Sequence, residues 1–397
     1  IVFSDMSDWN PAEIIGNQPN LLDYSLYNFI IMKDSWAKGR TAIGYQNMNK
    51  HQLMVKFGNK PYVDVKASFN SLIPKNVSNQ LKKKLVKFYI EKLEKNPYLH
   101  DKVEFDILFT CYDLNIKYRF KELLKNKFTK IEINQLQNDL IQFTNEIINN
   151  FPNILEKHNE TIGKLSEKRV NILSNLQNND IQKLQNTVKI LLKDCKKFGG
   201  IPFVTMARIG FIGNIILKSL DQNKNNFNTE KFMKSIETPL TQIQMDIEKY
   251  SKNKITTQEF LKKYGHLRPG TYDITVPRYD ENQDFFINAQ YSKILKKNKD
   301  FKIPIIKKLE ELSFEKIDFL NFVKISLRER EILKFEFTKN LSEAIKGIEK
   351  IGKLLGFTKN EMANLDINKI IGKKYKNHND MKKDQEQYTK KKGGDFR

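Results

Sequence analysis

The chain has 397 residues and a mass of 46.8 kDa, with 39% hydrophobic and 29% charged residues, which supplies a large core and excludes a disordered or fibrous protein. Basic residues outnumber acidic ones 69 to 47, a formal charge of +22, yet only nine of them are arginine. The lysines are scattered through Asn- and Ile-rich helical segments rather than clustered with aromatics and glycine, so no nucleic-acid partner is expected.

The pattern predicts a mainly α protein, a helical bundle or array with a small β-hairpin-containing N-terminal part. Residues 1–75 read as a mixed connector with short strands. Leu53 to Phe57 and Tyr62 to Val65 are β-prone runs around the turn-forming Gly58, Asn59, Lys60 and Pro61. Asn10 can cap a helix opened by Pro11, with Glu13 in its first turn and Trp9 packed at the entry. Residues 76–255 read as a helical region, with Val103 to Phe109 as one further strand candidate. Within it, Ile133, Leu136, Leu140, Phe143 and Ile147 step by three and four, as do Ile181, Leu184, Val188, Leu191 and Cys195. Gly199 to Leu217 is nearly long enough to span a bilayer, but Arg208 at its centre makes it a buried helix and argues against a membrane protein. Residues 256–290 are loop-rich, 291–370 carry C-terminal helices resuming after Pro304, with Gly356 as a C-cap, and 371–397 read as a basic flexible tail.

Chemistry-bearing residues concentrate between Tyr264 and Asp280. Arg268 and Arg278 stand out where lysine is the default cation, because a guanidinium fork grips a carboxylate or a phosphate. Two readings stay open: the arginines lock the loop through Asp273, Asp280 or Glu281, or they bind an anion, with Asp273 orienting one of them. His266 is either a loop-locking hydrogen bonder or a group facing the same space. Arg328 and Arg330 alternate with Glu329 and Glu331, a pattern expected of a solvated helix face paired at i to i+3 and i+4. Phosphate-loop, dinucleotide, zinc-protease, serine-hydrolase and EF-hand signatures are absent from the sequence, and the five histidines are too dispersed for a metal site. Cys111 and Cys195, with no CxxC, point to a reducing compartment and hence to the cytoplasm.

Three strings then converge: SDWNPAEIIG (Ser7 to Gly16), GNKPYVDVKASFNSLIP (Gly58 to Pro74) and YGHLRPGTYDITVPRYDE (Tyr264 to Glu281). Together they resemble the central region of phosphoenolpyruvate synthase-like enzymes, the pyruvate, water dikinase-related proteins that include rifampicin phosphotransferase. HDKVEFDILFTCYDL (His100 to Leu114) and REREILKFEFTKNLSEAI (Arg328 to Ile345) look like further segments of that region.

The resemblance implies a parent enzyme with an ATP-grasp domain using ATP and Mg²⁺, and a swivelling domain whose phosphohistidine carries the phosphoryl group to a small-molecule acceptor. None of the five histidines has the glycine-rich, Ser/Thr-rich context of that carrier. The chain therefore reads as a fragment, the linker and acceptor-facing part, inactive alone and binding no cofactor itself. Its candidate substrate- or interface-contacting residues are His266, Arg268, Asp273, Arg278, Arg328 and Arg330. The alternative is a non-catalytic helical scaffold or interaction module.

Overall fold

A computed structural model describes residues 2–5, 7–222, 229–282, 309–314, 317–372, 375, 377–384 and 386. The fold is mainly α, with one small antiparallel sheet near the N-terminus. Strands β1 (Phe3–Ser4), β2 (Met54–Phe57) and β3 (Lys60–Asp64) are ordered β1-β3-β2. The β2–β3 hairpin is the one expected from the sequence, registered Met54 to Val63 and Phe57 to Lys60. Gly58 and Asn59 both take positive φ, +50° and +65°, as a two-residue turn matched to strand twist requires. The second strand ends one residue before Val65, because Asp64 accepts from Ala67 N at 2.9 Å and starts a helix.

The helices follow in chain order: α1 (Pro11–Ile15), α2 (Leu21–Tyr27), α3 (Ser35–Thr41), α4 (Val65–Ser71), α5 (Asn79–Lys95), α6 (Val103–Asp106), α7 (Ile116–Lys125), α8 (Lys130–Leu173), α9 (Ile181–Asp194), α10 (Ile201–Gln222), α11 (Thr229–Lys234), α12 (Pro239–Ser251), α13 (Thr257–Tyr264), α14 (Phe319–Leu354), α15 (Lys359–Ala363) and α16 (Ile367–Ile371). Reciprocal caps, Thr129 with Glu132, Thr256 with Glu259 and Thr358 with Glu361, fix where α8, α13 and α15 begin. Asn10 precedes α1 as expected, but its amide bonds the Glu13 carboxylate and caps no backbone N–H. Gly356, at φ +77°, follows α14 as the expected stop.

Two large cores are stacked along the same long helices. One gathers α4, α5, α7, most of the first half of α8, α10 and the first turns of α14. The other gathers α2, α3, α9, the later half of α14, α15 and α16. Both strongly periodic stripes are buried as expected, except for the half-buried Ile181, and Cys195 sits in the second core with its thiol against the Phe337 carbonyl. Several of the segments drawn from the sequence contribute to both cores.

Two expectations change. Val103 to Phe109 is not a strand: Val103–Asp106 is a helical turn, because Val103, Ile107 and Leu108 all drop into the first core while Glu104 turns inward to Arg208. Tertiary burial outweighs the β-branched composition. The supposed tail is packed at its start, since Tyr375 and Met381 are buried in the second core and the Tyr375 hydroxyl donates to Asp384 at 2.7 Å. Within the loop-rich stretch 256–290, helix α13 occupies Thr257–Tyr264. The stretch around Pro304 lies outside the described residues.

One continuous helix, Ile181–Leu220, is long and apolar enough to cross a membrane, and 61% of its most apolar window is buried inside the protein. Arg208 lies within it, buried and paired with Glu104. This packing is that of a core helix and is compatible with a soluble protein.

Candidate functional site

The apolar run of α14 that feeds the first core ends at Leu327, and the run that feeds the second begins at Phe337. Between them lies the charged stretch from Arg328 to Glu336. Two cavities open there, one of about 360 Å³ and one of about 190 Å³, and Glu331 and Lys334 belong to the walls of both.

The larger cavity is mostly apolar. Leu240, Ile243 and Ile247 of α12, Leu267 and Tyr279 of the loop after α13, and Phe335 of α14 supply its surface. A small third cluster of Ile247, Phe260 and Tyr264 supports it from behind. Asp246 fastens α12 to α13 there: its carboxylate accepts from Tyr264 Oη at 2.9 Å, Lys249 at 2.8 Å and Lys263 at 3.1 Å. Burial works to raise its pKa, but those three donors outweigh it and hold the group at about 2.

The Tyr264 to Asp280 loop is pinned to itself. Tyr279 N donates to Leu267 O at 2.8 Å and Asp280 N to Gly265 O at 3.2 Å. Gly270, at φ +65°, makes the turn whose carbonyl accepts from Asp273 N. Within this frame the arginines part company. Arg278 is consumed: Nε and Nη2 fork onto Asp280 at 2.9 and 2.7 Å, and Nη1 reaches Glu343 of α14 at 2.7 Å. It is a lock between loop and helix, not an anion gripper.

Among the described residues Arg268 pairs with no carboxylate. Its Nη1 donates to the carbonyls of Asp273 and Val276 at 3.2 and 3.3 Å, and its buried Nε has no partner. The Asp273 carboxylate turns away to cap Thr275, accepting from its N at 2.8 Å and its hydroxyl at 2.7 Å. It orients no arginine through its side chain.

His266 lines the larger cavity, 9% exposed, with its ring edge-on to Phe335 at 4.8 Å between centroids. The His266 carbonyl accepts from Ser342 at 2.7 Å, and the ring's Nε2 is buried with no hydrogen-bond partner among the described residues. Burial, reinforced by the charges of Lys339, Arg278 and Arg169, pulls its pKa down to about 3, so the imidazole is neutral.

The smaller cavity sets seven charged residues among the apolar Trp9, Phe203, Val204, Ala207 and Phe211. Arg40 Nη2 donates to both carboxylate oxygens of Asp8, at 2.6 and 2.7 Å, and Arg40 lies 5.8 Å from each of the Trp9 and Trp36 rings. Ser68 adds a further bond to Asp8 at 2.6 Å. Asp8 itself holds a left-handed φ of +62°, a conformation these bonds compensate. Arg208 pairs with Glu104, whose carboxyl is pushed up by burial, against the pull of Arg208. Arg330 bonds Glu331 through Nε at 2.8 Å and Nη2 at 2.6 Å, at the edge of the same cavity.

Arg328 bonds Glu329 at 2.8 Å and lines neither cavity. The run is therefore no solvated face paired at i to i+3 and i+4: both arginines bond the next residue, and Glu329 is buried 3.7 Å from His158. Lys334, exposed on the shared wall, has no ion-pair or hydrogen-bond partner among the described residues.

Of the six residues expected to meet at a site, His266 and Arg268 share the larger cavity, Arg330 edges the smaller one, and Asp273, Arg278 and Arg328 line neither. Asp8, Arg40, Glu104, Arg208, Glu331 and Lys334 were not expected there. One sequence signal points to some of them: Arg40, Arg169, Arg208, Arg268 and Arg278, five of only nine arginines, are buried.

Among the described residues no three His, Cys, Asp or Glu side chains converge as a metal site, so no step below runs through a metal held by this chain. No family model matches the chain, and neither does any curated protein or solved structure.

Proposed function

We propose that this chain is the central, acceptor-facing region of a cytoplasmic ATP-dependent phosphotransferase, resembling the phosphoenolpyruvate synthase-like enzymes. ATP and Mg²⁺ act on an ATP-grasp domain, and a swivelling domain carries the phosphohistidine; both lie outside the residues read here. The observation that carries the proposal is the seam on α14, where Glu331 and Lys334 belong at once to the larger, mostly apolar cavity and to a smaller one with seven charged residues in its wall.

An apolar chamber of about 360 Å³ suits the body of a small-molecule acceptor. The adjoining cleft carries Arg40, Arg208, Arg330 and Lys334 against Asp8, Glu104 and Glu331, an excess of one positive charge, 4 − 3 = +1. Its inner four charges are paired, so Lys334 at the rim is the cation left to meet a phosphoryl group arriving on the carrier histidine. Fixed positive charge beside a transferring phosphoryl group stabilises its transition state.

The test is labelling. Incubated with γ-labelled ATP and Mg²⁺, the parent protein acquires acid-labile, base-stable label on a histidine outside residues 1–397, while the isolated chain stays unlabelled and releases no phosphate. Such label on the isolated chain, or none on the parent, overturns the proposal.

A further inference from the structure

The face that α14 gives to the larger cavity is graded along the helix. Glu331, Lys334, Phe335, Thr338 and Ser342 recur at helical spacing and line one wall, and from Lys334 to Ser342 the helix rises about 12 Å. Helix α12 brings Leu240, Ile243 and Ile247 to the same cavity at the same spacing. Several polar groups of this wall are already engaged. Thr338 donates to the Phe335 carbonyl at 2.8 Å and Ser342 to the His266 carbonyl at 2.7 Å. Arg268 Nη1 is held by the Asp273 and Val276 carbonyls, and the Glu331 carboxylate accepts both bonds of Arg330. Lys334 differs: it is exposed and has no ion-pair or hydrogen-bond partner among the described residues.

The charge of the wall decides what an apolar ligand must carry. Among the described residues Arg268 and Lys334 stand there against one carboxylate, Glu331, which Arg330 already neutralises. A cationic ligand meets two positive charges and no spare carboxylate. A neutral one fills the apolar part and leaves Lys334 as it was. A dianion brings a second negative charge that the wall does not match, next to Glu331. We propose that the larger cavity binds an apolar-bodied monocarboxylate, a two-ring aromatic acid or a medium-chain fatty acid, with its hydrocarbon between α12 and Phe335 and its carboxylate on Lys334 Nζ. Burial of the hydrocarbon supplies most of the affinity, and the lysine selects the charge. An ammonium on a flexible stem accepts a carboxylate without the fixed geometry that a guanidinium fork imposes. Because Lys334 also belongs to the smaller cavity, the carboxylate lies at the junction of the two. This names the acceptor class for the transfer reading above and rests on that reading for the acid's use, although binding itself does not depend on it.

The experiment is calorimetric titration of the full 397-residue chain at neutral pH with three probes of one shape: biphenyl-4-carboxylate, its neutral carboxamide, and biphenyl-4-ylmethylammonium. The carboxylate binds tighter than the amide by about 5- to 20-fold, the ammonium binds weakest, and added salt narrows the gap. Lys334→Gln brings the carboxylate down to the amide and leaves the amide unchanged, while Lys334→Arg keeps the preference. Leu240→Ser, at a side chain 66% exposed and so tolerant of change, weakens all three probes and preserves their order. Equal binding of carboxylate and amide, a carboxylate preference that survives Lys334→Gln, or no binding by any probe overturns the inference. So does tighter binding of biphenyl-4-phosphonate than of the carboxylate. The wild-type series decides it even if a variant does not fold. Carboxylate preference without histidine labelling of the parent would sink the phosphotransferase reading and leave this one standing; labelling without the preference would do the opposite.

Discussion

Asp23 lies in the first turn of α2, 4% exposed, with one carboxylate oxygen lacking a partner. Burial, and then the charge of Asp273, raise its pKa to about 7, although bonds from Asn20 oppose the shift. An unfolded aspartate titrates near 3.9. Between about pH 4 and pH 7 the folded chain therefore holds a proton that the unfolded chain has lost, and stability falls as pH rises through that window, by up to about 1.4 kcal/mol per pH unit. Asp23→Asn removes the titration. Its melting temperature should lie above wild type at pH 8 and converge with it near pH 4; parallel curves would show that Asp23 does not set the slope. At this scale the sequence was informative about type and silent about partner. Arg268 and Arg278 stood out because guanidinium is scarce in a lysine-rich chain, but only packing separates the one consumed by Asp280 and Glu343 from the one with a spare Nε.

Elements were legible where local chemistry decides them. The β2–β3 hairpin follows from Gly58 and Asn59, and the helical stripes follow from spacing that every later contact respects. The helix α6 was not legible, because its conformation depends on Arg208, 104 residues beyond Glu104. Neither was the π-helical turn Cys195–Gly200 that joins α9 to α10. Its glycines let two elements approach: a Cβ on Gly199 would stand 2.3 Å from Phe337 Cβ, and one on Gly200 would stand 2.8 Å from the Ile30 carbonyl. Gly199→Ala should push α14 off this turn and destabilise the protein by about 1–3 kcal/mol in urea unfolding. An unchanged midpoint for the single variant would mean that the close approach is not maintained in solution.

For the whole molecule, the decisive feature is where the two cores fail to merge. Helix α14 supplies apolar residues to both, and the charged turn between them is where the cavities open. The sequence shows the charged run plainly, yet its alternation imitates an ordinary solvated face; its meaning depends on α12, the Tyr264 loop and Asp8 to Arg40 arriving around it. In the proposed transfer, Lys334, on the wall shared by both cavities, meets the phosphoryl group on its way to the acceptor. The direct measurement is a pulse and chase in the parent protein: the carrier histidine is charged with labelled ATP, excess ATP is removed, and loss of label is followed in wild type and Lys334→Gln. Charging should proceed at the wild-type rate and discharge should slow by about 10²-fold, the scale expected when one charge-stabilising group is removed from a transfer site. Discharge at the wild-type rate would contradict the account.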